Sequence, residues 1–158
     1  MSQPATPPTA TAAPARRARP WVVFLAFAAA FAGLQLAHNG HLFTRPVYEE
    51  ADYAANSLLV LKAKRLELLH GHYSRMGFYH PGPALMYVLA AGEWVLYDVA
   101  GVVPAPHNAH MVAHLFLNAV LLGVAPTIVS RAVGLRAAVA AAVAFLVYFA
   151  REGHLSSH

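Results

Sequence analysis

Between Tyr48 and Pro83 the chain reads YEEADYAANSLLVLKAKRLELLHGHYSRMGFYHPGP, and most of its chemistry-bearing side chains are gathered there. Carboxylates stand at the start (Glu49, Glu50, Asp52), with the amide Asn56 close behind. Tyr73-Ser74-Arg75 and His80-Pro81-Gly82-Pro83 close the stretch. These are the types used to move protons and to meet anions. A segment that only joined two apolar helices would not need them. Because membrane-grade apolar runs flank it on both sides, the stretch reads as an active-site loop held at the water–lipid boundary.

Of the 158 residues, 58% are hydrophobic and 11% charged, too apolar for an ordinary soluble domain of this length. Cysteine is absent, which excludes disulfides, a thiol nucleophile and a thiolate metal site. Much of the basic excess sits in Arg16, Arg17 and Arg19, just before an apolar run. There it acts as a topological signal and not as a nucleic-acid surface, so no nucleic-acid partner is expected.

Residues 1–20, rich in Pro, Ala and Thr, cannot bury a core and read as a disordered cytoplasmic tail; residues 21–158 form the membrane domain. Trp21 to Ala37 is apolar except for Gln35. As a helix it covers about 25 Å, enough to cross the hydrocarbon core. The arginines before it place the N terminus in the cytoplasm. A cleaved secretory signal is the plainer alternative, but the run is long for a signal core.

His38-Asn39-Gly40-His41 reads as an exit turn, Pro46 as a helix start, and Glu49 to His70 as one amphipathic helix. Its apolar face is Ala51, Ala55, Leu58, Leu66 and Leu69, interrupted by Lys62 and Arg65, whose stems can lie along lipid. Gly71 to Gly82 is a shaped loop. Ala84 to Gly101 is apolar but holds Glu93 and Asp98, so it is either partly immersed or packed against protein. Met111 to Val129 is a clearer span, followed by Arg131 and Arg136, and Val133 to Ala150 returns. Keeping Ala84 to Gly101 on the outer face places both arginines inside. The expected fold is therefore an all-α membrane protein with about three transmembrane helices (21–37, 108–130, 133–150). Two interfacial juxtamembrane helices lie in a first extracytoplasmic loop spanning 38–107.

This pattern resembles the N-terminal part of a C-fold integral-membrane glycosyltransferase, the group of the aminoarabinose transferases and protein mannosyltransferases. That family delivers Asp-Glu or Asp-Asp followed by Tyr-Ala into its first extracytoplasmic loop; here Glu49-Glu50-Ala51-Asp52-Tyr53-Ala54 stands in that place. It continues with a juxtamembrane helix, a His-Pro-Pro or Lys-Pro-Pro turn and a span ending in arginines. His80-Pro81-Gly82-Pro83 and Arg131 occupy those positions. The leading acid departs from the family pattern, being Glu49 and not Asp.

The resemblance implies transfer of a sugar from a polyprenyl-phosphate donor to an extracytoplasmic acceptor, in a bacterial inner membrane. A carboxylate would take a proton from the acceptor or orient it, and cations would stabilise the departing phosphate. On a helix Glu49 and Asp52 share a face, where each tunes the other. Asp52 ranks first as the catalytic residue because Asn56 follows it by one turn, and Glu49 ranks second. Arg75 is the candidate for the donor phosphate, with Tyr73, His80 and Asn56 completing the substrate-binding set. No cofactor is assigned, and a divalent cation is left open. Enzymes of this family have many more spans, so the expectation is an N-terminal portion, inactive without the remaining transmembrane segments of the full-length enzyme.

Two other readings compete. His107, His110 and His114 fall where a helix gathers them, which suits a haem or a metal ion, with His110 and His114 the pair most cleanly on one face. The other is a small non-enzymatic membrane protein, complete as it stands, that binds a partner.

Overall fold

The computed structural model describes residues 19–50, 52–71, 76–77 and 82–155, with side chains described for all of these except 52 and 148–155. The described residues form helices and turns and contain no strand. Helix α1 is Pro20–His38 and α2 Asp52–Lys64; α3, Ala84–Glu93, runs on into a π-helical turn, Trp94–Val99. Helix α4 is Pro106–Ala132 and α5 Leu135–Leu155.

Two helices, α1 and α4, are long and apolar enough to cross a membrane. Both open with proline at the first helical position, where the missing N–H costs nothing and the fixed φ suits a helix. They run antiparallel. Leu42, just past the end of α1, packs with Ala109 and Val112 near the start of α4, and Phe31 packs with Ala119. Deeper still, Ala28 meets Gly123, where a Cβ would stand 3.1 Å from that of Ala28. Small residues let the two backbones close on each other, the usual device where neither lipid nor helix offers a hydrophobic driving force. The chain thus leaves α1 and enters α4 at the same end of the pair.

The exit turn is as the sequence suggests. Asn39 ends α1 by sending both its backbone N–H and its side-chain amide to the Gln35 carbonyl, and a 3-10 turn, Gly40–Phe43, follows. What holds this turn is Asn108, which is fully buried in the first turn of α4. Its Nδ2 donates to the carbonyls of Leu42 and Arg45, both at 2.8 Å, and its Oδ1 accepts from the Val47 N–H at 2.9 Å.

That clamp explains one correction. The helix expected over Glu49 to His70 is only 13 residues long, Asp52–Lys64. With Val47 committed to Asn108, residues 46–50 stay non-helical and Glu49 precedes the helix. Glu49 and Asp52 therefore do not share a helix face. At the other end Leu66 adopts φ 60°, the left-handed conformation that stops a helix. The Leu66 N–H then bonds to Ala63 and the Glu67 N–H to Lys62, closing the last carbonyls. The packed face of α2 also differs: Val60 and Ala63 are buried against Met86, Leu89, Ala90 and Ala113, while Ala55, Leu58, Leu66 and Leu69 are exposed.

Helix α3 crosses the N-terminal part of α4 where Gly92 lies on Ala113 and the Ala109 carbonyl. A Cβ on Gly92 would overlap that of Ala113. The other two boundaries shift modestly. Helix α4 begins at Pro106 and so takes in His107, and α5 starts at Leu135 after Gly134, whose φ of 123° turns the chain. The described apolar part of α5 is Leu135–Val147.

Gly92→Ala should force α3 away from α4 and lower stability by about 1–3 kcal/mol, the usual cost of overpacking. Thermal unfolding of the detergent-solubilised protein measures this, and Ala113→Gly in the same chain should recover most of the loss.

Candidate functional site

Where α1 ends and α4 begins, polar side chains from four segments meet. At their centre is Glu93, the last residue of α3 and only 6% exposed. A carboxylate so far out of water must be paired and hydrogen-bonded or it will not stay charged. Both its oxygens are used. Oε1 accepts from Lys64 Nζ of α2 at 2.7 Å, and Oε2 lies 2.7 Å from Nε2 of His110 on α4.

Lys64 also reaches Asp98, at 2.5 Å. In an α-helix residues five apart point about 140° away from each other. The i→i+5 bonding of a π turn brings them back towards one face. The unwinding over Trp94–Val99, marked by the Ala100 N–H bonding to the Val95 carbonyl, is thus what lets Glu93 and Asp98 meet one ammonium. Burial alone would lower the Lys64 pKa. The hydrogen bonds and charges of Asp98 and Glu93 outweigh it and raise the value above 10.5.

On the far side of His110 stand His107 and Glu49. The rings of His107 and His110, three apart on the first turns of α4, are 6.0 Å apart between centroids, edge to face. Glu49, His107 and His110 each bring a ligand atom within 4.8 Å of the other two. Ser57 of α2 donates to Glu49 Oε1 at 2.8 Å and so orients that carboxylate. The Tyr53 ring packs edge-on against His107 at 5.7 Å. His107 Nδ1 is closed off from solvent and has no hydrogen-bond partner among the described residues.

Against the residues expected from sequence, Glu49 is a member of the cluster with His107 and His110 but in a non-helical segment. Asp52 is the first residue of α2, and Asn56, half-buried, follows it by one turn. Tyr73, Arg75 and His80 lie outside the described residues. Of the three histidines, all on α4, His107 and His110 meet in the cluster, and His114 is exposed. Glu93 and Asp98 are both paired with Lys64, which sequence reasoning passed over. The available signal was that two acids in an apolar segment demand a cation, and the preceding helix carried one.

No family model, no curated protein and no solved structure matches this chain. The residues and their geometry therefore carry the functional reading by themselves.

Lys64→Met should cost about 2–3 kcal/mol, less than a fully buried pair because the Lys64 side chain is 25% exposed. Since the Lys64 pKa is raised by folding, its contribution is complete at neutral pH. It fades only as pH rises above 10.5 towards the folded value. Unfolding curves across the alkaline range should show wild type losing its advantage over Lys64→Met there, with a constant gap between pH 7 and 9.

Proposed function

We propose that the chain is the N-terminal membrane unit of a glycosyltransferase that moves a sugar from a polyprenyl-phosphate donor to an extracytoplasmic acceptor. The observation that carries this reading is that Glu49 and the start of α2 lie at the end of the α1/α4 pair where the chain leaves the first apolar helix. A lipid-linked substrate presents its phosphate and sugar at such a rim. Carboxylates gathered there can act on an acceptor hydroxyl without themselves entering hydrocarbon.

The outward faces of α1 and α4 suit lipid. Trp21, Leu25, Leu34, Leu121 and Ile128 are all exposed, an apolar surface that water would not tolerate over such a length. In this reading α2 and α3 are the interfacial juxtamembrane helices, α5 is a third span, and the N terminus lies in the cytoplasm of a bacterial cell. Asp52 remains the first candidate for the catalytic carboxylate, because Glu49 is already held by Ser57 and faces two imidazoles. Arg75 and His80 are proposed to meet the donor phosphate. Further transmembrane segments would complete the donor cavity.

Metal handling without sugar transfer is the second reading, favoured by the Glu49–His107–His110 cluster. A bis-histidine haem fits less well, since both rings come from one face of one helix and axial ligands must approach from opposite sides.

The absence of native cysteine permits a clean test of geography. Asp52→Cys and Thr44→Cys, each the only thiol in the chain, should react with a membrane-impermeant maleimide in intact cells; labelling only after lysis would overturn the proposed topology. In membranes that transfer sugar from a defined polyprenyl-phosphate donor, Asp52→Asn should lower the rate by about 100-fold or more at unchanged protein level. Full activity in that variant removes Asp52 from the mechanism.

A further inference from the structure

We propose that Glu49, His107 and His110 bind a first-row transition-metal dication of the zinc class, with Glu93 as the outer partner that orients His110. The inference stands apart from the transferase reading, because its readout is bound metal and not sugar transfer.

The donor set decides the class of ion. Two imidazole nitrogens and one carboxylate oxygen suit zinc and its neighbours, whereas magnesium and calcium are held by oxygen alone. Ligand atoms around a tetrahedral zinc are about 3.3 Å apart. Groups already within 4.8 Å of one another reach that spacing by side-chain movements of roughly 1 Å. Three protein ligands leave one position open, the arrangement of zinc sites that act on a bound molecule.

Three features beyond proximity point the same way. First, a Glu93 carboxylate oxygen lies 2.7 Å from His110 Nε2, so the carboxylate holds the ring from its Nε2 side. With Nε2 engaged in this way, Nδ1 is the nitrogen we assign to the ion, and a histidine whose other ring nitrogen meets a carboxylate is the common outer-shell arrangement of metal sites. Second, Ser57 donates to one oxygen of Glu49, fixing the carboxylate and leaving the other oxygen available. Third, the buried, unbonded Nδ1 of His107 is an atom that a native structure seldom leaves without a purpose, and a cation would satisfy it.

Electrostatics favour a cation over an anion here. His107 and His110 stand at the positive end of the α4 dipole, which would by itself attract an anion. Glu49 and Glu93 bring two carboxylates to the same place. Within the cluster they outweigh a half-charge at a helix end.

The test uses the full chain, purified in detergent, stripped with chelator and titrated with zinc against a chromophoric competitor. The expected result is one ion per chain. His107→Ala and His110→Ala should each weaken binding by about 100-fold or more, and Glu93→Gln by about 10- to 100-fold without changing stoichiometry. His114→Ala, an exposed site on the same helix, should leave it unchanged. Cobalt in place of zinc should give wild type the visible absorption of a low-coordinate site, which reports on the site even if a variant folds poorly. No binding to wild type, or equal affinity in wild type and the double variant His107→Ala/His110→Ala, overturns the proposal. A bound ion with no sugar transfer would leave it standing and count against the transferase reading alone.

Discussion

The arrangement of this molecule depends on partnering one buried carboxylate, that of Glu93. A lone carboxylate buried in apolar surroundings would neutralise itself or pull the segment out. Here Lys64 meets it with an ammonium from α2 and His110 with a ring nitrogen from α4, so three helices are fixed to one another by the two oxygens of a single side chain. Such pairing adds little net stability over an apolar contact. Its value lies in register: any other rotation of α2 or α3 would leave a charge unpaired. Gly92 makes this geometry reachable, since only a residue without Cβ lets α3 approach Ala113 closely enough for Glu93 to meet His110.

A second constraint, Asn108, acts on the same end of the molecule. It is a polar side chain in the first turn of an otherwise apolar helix, and it is tolerated there because both its amide protons and its carbonyl oxygen are engaged by the chain leaving α1. By holding residues 42–47 against α4 it sets where Glu49 lies. His107 and His110 flank Asn108 in the same turn. One helical turn therefore carries both the clamp and two members of the candidate site, and strain on the clamp would reach the site directly.

The apolar helices could be read from the sequence because nothing competes with them. Trp21 to Ala37 and Met111 to Val129 are long apolar runs, and α1 and α4 cover both, the second continuing through Pro126, with their starts set by Pro20 and Pro106. The intervening region was harder because tertiary bonds override its local pattern. Pro46 suggested a helix start, but the Val47 N–H goes to Asn108 and the helix waits until Asp52. Leu66 reads as a good helix former, yet it takes the left-handed conformation that ends α2. The amphipathic wheel selected Ala55, Leu58 and Leu69, while packing against α3 chose Val60 and Ala63. Of the site, Glu49 was legible from its type and position. His107 and His110 stood out as potential ligands as well, but their meeting with Glu49 was not legible, because they lie about 60 residues away and the Asn108 clamp helps bring the segments together.

The two acids of the first loop are separated by this folding into different situations, which bears on any chemistry at this rim. Were Glu49 and Asp52 on one helix face, they would compete for a single proton and either could serve as base. With Glu49 drawn towards the imidazoles and oriented by Ser57, its lone pairs are committed to the cluster. Asp52 is instead the first residue of α2, at the N-terminal end of that helix. The two acids are thus separated by position: Glu49 belongs to the cluster with the imidazoles, and Asp52 opens α2.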